Sequence, residues 1–201
     1  MNSPQDKTIE TYVDNFEVYK NKTASIIDGE FKDFIDSFCA YLPASGNIFE
    51  IGSAQGRDAR YIKLKGFNIF CTDIIPQALE ELKRDGFQTD LYDFRDNPKD
   101  EWLGKFDGFF ANAVLLHATQ EIFENALNNI IKILKENGVL AFSLKTGKGE
   151  EISLEKMGAP RYFKYYSKEE LTHILNSFPY QILSLEEVGE GKWLHAILKK
   201  I

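Results

Sequence analysis

The sequence predicts an α/β fold, a mostly parallel sheet with helices on both faces and an antiparallel hairpin at its C-terminal end. Three observations predict it. Short apolar runs alternate with helical stretches, the pattern of strands joined by crossover helices. The first such run, residues 47–51, passes directly into Gly52. The last two, near 181–186 and 193–198, are separated by a segment holding Gly189 and Gly191, which suits a hairpin rather than a crossover.

In chain order, Tyr12, Phe16 and Tyr19 recur at spacings of four and three and lay a single aromatic stripe along an N-terminal helix. A second helix is expected over 30–41, ending before Pro43, whose ring disfavours helix in the residue before it. After the first strand and Gly56, a helix is expected from Arg57 to about Lys65, with Gly66 beyond its end. Residues 68–72 read as the second strand, ending at Asp73, and Pro76 opens a helix that reaches Arg84. Residues 87–92 and 106–111 are the third and fourth strands. An apolar stripe from Ile122 to Leu134 marks the next helix, with Asn137-Gly138 as its stop and 139–144 as the fifth strand. Ser167 and Glu170 form a capping-box signature for a late helix, and the hairpin brings the total to seven strands.

Composition narrows the function classes. A length of 201 residues favours one domain, and 43% hydrophobic content supports a substantial core. The net charge of -7 argues against DNA as the partner, because a phosphate backbone wants a basic face; RNA or protein substrates are not excluded. Cys39 and Cys71 form no CxxC pair, and the charged N-terminal residues do not read as a signal peptide. No apolar run has the length of a membrane span, so a cytoplasmic protein without a membrane partner is expected. The three histidines lack metal-ligand spacing, and no metal site is expected.

The informative segment is the turn after the first strand. Gly52 and Gly56 are four apart with Ala54 between them, and a following helix start offers unpaired N–H groups to a ligand. The dinucleotide fingerprint G-x-G-x-x-G needs glycine where this chain has Ala54 and Arg57, so a nicotinamide oxidoreductase is disfavoured. Glu50, two residues before the first glycine, is placed to engage a cationic amino group. Asp73 ends the second strand, where a carboxylate can accept from ribose hydroxyls, or can cap the helix that follows. Asp93 follows the third strand, where an acid can accept from an adenine amine or stand as a solvated loop charge.

The segment 48–58, Ile-Phe-Glu-Ile-Gly-Ser-Ala-Gln-Gly-Arg-Asp, resembles motif I of class I S-adenosylmethionine-dependent methyltransferases. Asp73 resembles their ribose-binding acid, Asp93-Phe94 their adenine-binding pair, and 106–117 their motif IV; 133–140 and 166–171 resemble later segments of the same domains. The match looks closest to small bacterial enzymes of the tellurite-resistance-like type. The resemblance implies a Rossmann-like methyltransferase fold, with residues 1–45 covering the cofactor site and 46–201 forming the S-adenosylmethionine-binding domain. It implies a cofactor site made of Glu50, Gly52, Ser53, Ala54, Gly56, Arg57, Asp73, Ile74, Asp93, Phe94, Asn112 and His117, with S-adenosylhomocysteine as the product. Ala54 departs from the family's middle glycine, and its methyl is tolerable where φ is negative.

Methyl transfer from a sulfonium is a direct displacement in which most of the protein's work is alignment. Residues 111–114, Ala-Asn-Ala-Val, lack the Asn/Asp-Pro-Pro-aromatic pattern of nucleobase-amine methylation, and no Pro-Cys pair offers a covalent nucleophile. His117 is the one candidate base, expected beside the cofactor; His195 reads as structural and His173 as solvated. Tyr12, Tyr19, Arg161 and Tyr162 are candidate substrate contacts, with Arg161 suited to a carboxylate and the glycines of 145–150 to a lid or an ordinary loop. The expected function is methylation of a small molecule; a non-catalytic cofactor-binding regulator or partner subunit with the same fold is the alternative.

Overall fold

The computed structural model describes residues 3–201, so the first two positions of the N-terminal segment lie outside it. The strands are β1 (Asn47–Ile51), β2 (Asn68–Asp73), β3 (Gln88–Leu91), β4 (Phe106–Ala111), β5 (Leu134–Thr146), β6 (Glu150–Ser153), β7 (Arg161–Tyr166), β8 (Tyr180–Val188) and β9 (Trp193–Lys200). The helices are α1 (Pro4–Asp14), α2 (Phe16–Asn21), α3 (Gly29–Ala40), α4 (Arg57–Leu64), α5 (Pro76–Arg84), α6 (Gln120–Ile133) and α7 (Lys168–Leu175).

The main sheet has the order β3-β2-β1-β4-β5-β9-β8, parallel through β5 and antiparallel at β9 and β8. These are the seven strands expected from the sequence. Successive residues along a strand face opposite sides, and this divides the core in two. Phe49, Phe109, Leu140 and Phe142 pack on one face against α6 and α7, and Ile48, Phe110, Val139 and Ala141 pack on the other against α3 and α4.

Four details differ from the expectation. First, β6 and β7 form an additional antiparallel hairpin. Lys145 pairs with Trp193 of β9 on one edge and with Tyr165 of β7 on the other, so β7 extends the sheet past the point where β4 ends. In the Arg-Tyr-Phe-Lys-Tyr-Tyr of β7 both faces carry large, buried side chains, so neither an apolar run nor a clean alternation marks the strand. Second, the 145–150 segment is only the three-residue link 147–149 between β5 and β6, too short for a lid. Third, α6 ends at Ile133, four residues before Asn137. The Gly104 and Lys105 N–H groups donate to the carbonyls of Lys132 and Ile133, and Leu134 turns extended to pair with Phe106. Asn137 is left-handed at φ 63° and marks the register shift that follows. Fourth, the aromatic stripe is broken at Asn15 into α1 and α2, with Phe16 buried against Ile75 and Ala78 of the α5 start.

α1 lies on β7 and is held there by polar contacts. The Thr8 hydroxyl accepts from the Tyr162 N–H at 2.9 Å, and the Thr11 hydroxyl donates to the Pro160 carbonyl at 2.7 Å. No helix among the described residues is long and apolar enough to cross a membrane.

Candidate active site

A cavity of about 90 Å³ opens at the C-terminal ends of β1, β2 and β4, the edge where parallel sheets bind ligands. Its floor is Gly52, Ala54, Asp73, Ile74, Asp93 and Phe94; Asn112, Ala113, Val114 and His117 close one end, and Gln5, Thr8, Ile9 and Tyr12 of α1 cover it together with Tyr19. The α1 residues follow a spacing of 5, 8, 9 and 12, one helical face. Of these only Tyr12 stands out in the sequence, because the others on that face are mostly polar and form no apolar stripe.

The turn between β1 and α4 requires its glycines. Gly52 is left-handed at φ 68°, and a Cβ there would stand 2.3 Å from a Val114 methyl; at Gly56 it would stand 2.4 Å from a Leu82 methyl. Ala54, between them, is also left-handed, at φ 46°, contrary to the negative φ that would make its methyl harmless. Its N–H donates to Asp73 Oδ2 at 2.7 Å, which holds the turn against the end of β2.

Asp73 serves two purposes at once. Its Oδ1 accepts from the Ile75 N–H at 3.0 Å, which fixes the turn into α5 without capping the helix, and the carboxylate lines the cavity. Burial raises its pKa to about 6, with backbone N–H donors opposing the shift. Glu50 lies beneath the turn, outside the cavity wall, and accepts from the Ser53 hydroxyl at 2.5 Å. Burial, with the charge of Asp58 second, raises its pKa to about 8. Three buried acids thus surround the turn; Asp58 is offset by Arg57 and Glu50 is protonated near neutral pH, so a ligand cation would meet the charge of Asp73 and favour ionisation of Glu50.

Arg57 does not reach the cavity. Its guanidinium pairs with Asp58 at 2.6 Å, and Asp58 accepts from the Asn112 amide at 2.8 Å. Asn112 in turn accepts from Ser143, whose hydroxyl takes the Ala113 N–H at 2.8 Å. This chain fixes the turn after β4, where Ala113 is left-handed at φ 57°. Asp58, the last residue of the motif I segment, is a positioning residue absent from the expected site; its signals are that place and a charge in the first turn of α4 beside Arg57.

Asp93 lines the cavity, but its two carboxylate oxygens accept from the backbone N–H, Nε and Nη2 of Arg95. Arg95 also pairs with Asp6 of α1 at 2.8 Å, joining the floor to the cover.

His117 is engaged at both ring nitrogens. Its Nδ1 lies 2.6 Å from the Tyr162 carbonyl, which can only accept, so Nδ1 carries the proton and Nε2 accepts from the Tyr12 hydroxyl at 2.9 Å. Burial lowers its pKa to about 4. Arg161 donates to the Tyr12 oxygen at 3.3 Å. Arg161 and Tyr162 do not line the cavity. Tyr162 meets the site through its backbone, since its ring is on the opposite face of β7 from Arg161 and Phe163. His195 stacks on Phe34 at 4.2 Å in the core, and His173 is exposed on α7.

The residues present fit an adenosyl ligand bearing a cation. Gly52 lets the backbone approach closely, Asp73 offers acceptors and charge, Glu50 beneath the turn can ionise in response to a cation, and the Gln5 amide Nε2 is buried in the cavity wall without a partner.

Comparison with known proteins agrees with this geometry. A family described as "Methyltransferase domain" matches residues 23–185. No curated protein matches the chain significantly. Among solved structures, the 1,6-didemethyltoxoflavin-N1-methyltransferase of Burkholderia thailandensis, with bound 1,6-didemethyltoxoflavin and S-adenosylhomocysteine, shares 16% identity over 100% of this chain and 91% of its own, with a TM-score of 0.73. An S-adenosylmethionine-dependent methyltransferase of Methanosarcina mazei shares 14% identity over 81% and 96%, at 0.69. The [4+2]-cyclase SpnF shares 14% over 99% and 96%, at 0.73, so likeness of fold at this identity leaves the reaction open. The family match spans most of the chain, from just after α2 through the turn and Asp73 into β8, and by it the chain belongs to the methyltransferase domain family.

Proposed function

We propose that the protein transfers the methyl group of S-adenosylmethionine to a small molecule held beneath α1. The observation that carries this reading is Asp73, a buried carboxylate at the end of β2 that lines the cavity beside the glycine turn. Each of its oxygens accepts a backbone N–H and retains capacity for a ribose hydroxyl. Two further facts support it. The Burkholderia enzyme of similar fold holds S-adenosylhomocysteine and a small acceptor. The α1 cover also leaves a roofed cavity, which suits a small molecule better than a macromolecule.

When bound, the cofactor supplies a methyl group on a sulfonium, ready for in-line displacement. The chain's residues hold and align. Asp73 and the Gly52 turn would hold the nucleoside, and Asn112, locked by Asp58 and Ser143, keeps the cavity wall after β4 in place. A cation near Glu50 favours its ionised form, so binding below pH 8 releases a proton there. His117 stays neutral across physiological pH and positions Tyr12.

Calorimetry with S-adenosylhomocysteine tests the reading. Saturable binding is expected, and Asp73→Ala should raise the dissociation constant roughly 10- to 100-fold, the loss of hydrogen bonds to a charged acceptor. An unchanged constant would mean that Asp73 only braces the turns at Ala54 and Ile75. Binding without methyl transfer across a broad acceptor panel would instead favour a non-catalytic regulator, the reading to which the Ala54 methyl in the cavity wall lends support.

A further inference from the structure

Arg161 is a buried cation, 6% exposed, yet it has no carboxylate partner among the described residues. Its Nη1 donates to the Tyr12 hydroxyl and its Nη2 to the Glu155 carbonyl at 2.6 Å; its Nε is buried without any partner. An isolated buried charge is costly, and native structures pair it. Lys156 stands nearby and is also without a carboxylate partner among the described residues. It is half-buried, left-handed at φ 68°, and its ammonium sits 4.3 Å above the Tyr19 ring. Burial and the neighbouring Arg161 and Arg57 lower its pKa to about 8, which shows how closely the cations crowd one another. Arg57 is already neutralised by Asp58. The two remaining cations bracket Tyr12 and Tyr19, whose rings meet edge to face at 5.5 Å and line the cavity. The carboxylate of Glu155 is on an exposed residue, and only its backbone turns to Arg161.

Resting on the transferase reading above, we infer that Arg161 and Lys156 together bind a carboxylate carried by the methyl acceptor, with Tyr12 and Tyr19 as the walls for its apolar body. With Nη1 and Nη2 engaged by Tyr12 and Glu155, Arg161 keeps its buried Nε for one carboxylate oxygen, and the Lys156 ammonium meets the other at a free angle. Neither cation lines the cavity itself; the carboxylate reaches them past Tyr12 and Tyr19, which do, and the site selects acceptors by charge at that end.

The probes are benzoate and benzamide, equal in shape and different in charge. Each is titrated by calorimetry into the full chain loaded with S-adenosylhomocysteine. Benzoate should bind at least about ten-fold more tightly than benzamide. Arg161→Gln and Lys156→Gln should each erase most of that preference while S-adenosylhomocysteine still binds. Lys156 is half-exposed, so its variant remains informative if loss of Arg161 disturbs the Tyr12–His117 contact. Equal binding of the two probes, no saturable benzoate binding by cofactor-loaded protein, or a preference unchanged in Lys156→Gln would each overturn the carboxylate site. Failure to bind S-adenosylhomocysteine, with benzoate still held by the wild type and released by the variants, would overturn the transferase reading alone.

Discussion

At the scale of single residues, Ala54 is the point where the chain departs from the glycine its family resemblance implies, in a conformation that alanine disfavours. At φ 46° the alanine carries a left-handed cost of about 1–2 kcal/mol that glycine would avoid. Ala54→Gly should stabilise the protein by roughly 0.5–1 kcal/mol, because glycine's extra freedom in the unfolded chain takes back some of the gain. Urea denaturation at neutral pH checks this; a destabilised variant would mean that the methyl's packing outweighs the strain. The strain is local to the site, since Ala113 in the facing wall is left-handed too. Both residues hold backbone that a ligand must approach closely, where a larger side chain would intrude.

At the scale of elements, α1 illustrates how a cover can be built without an apolar face. Gln5, Thr8 and Thr11 are its buried residues, and two of them bond to the backbone around β7. Thr8→Val keeps the shape and leaves the Tyr162 N–H unsatisfied, so a loss of about 1–3 kcal/mol is expected. Hydrogen exchange at the Tyr162 amide should accelerate in the variant; unchanged protection would place the anchor of α1 elsewhere. The same element shows what the sequence could and could not disclose. The strands β1, β2, β4 and their helices were legible because apolar runs and turn residues report them directly. Asp73 was legible because a strand end and a spacing locate it. β7 was not, because its two faces are both filled with large side chains and leave no polar–apolar alternation. The engagement of Asp93 by Arg95, and of Arg57 by Asp58, was equally hidden, since residues one or two apart in sequence choose partners by backbone shape that only the fold decides. Likewise, Tyr162 contributes a carbonyl rather than a ring, and no residue type announces a carbonyl.

For the whole molecule, the buried titrating groups set the pH at which the ligand-free protein is most stable. His117 and His195 have pKa values lowered from 6.5 to about 4, so their contribution is complete above pH 6.5 and is lost as pH falls from there toward 4. Asp73 and Glu50 are raised, to about 6 and about 8, so the folded state binds protons that the unfolded state has released, and stability falls as pH rises toward those values. The two histidines and two acids oppose one another between about pH 4.5 and 6; between about 6.5 and 8, below the range where Lys156 begins to contribute, Glu50 sets the slope. Maximum stability near pH 6.5 is expected, with a decline toward pH 8 that vanishes in Glu50→Gln. The variant should melt about 2–4 °C higher for each kcal/mol recovered and bind S-adenosylhomocysteine more weakly, since it lacks the charge. A wild-type Tm that rises steadily from pH 6.5 to 8 would refute this. The bond between Thr8 and Tyr162 spans 154 positions, and this has a consequence for synthesis. A ribosome adding roughly 5–20 residues per second releases α1 some 8–30 s before its docking strand exists. For that interval the helix waits in water, and with Gln5, Thr8 and Thr11 in place of leucines it offers a chaperone or a neighbouring nascent chain little beyond Ile9, Tyr12 and Val13 to seize.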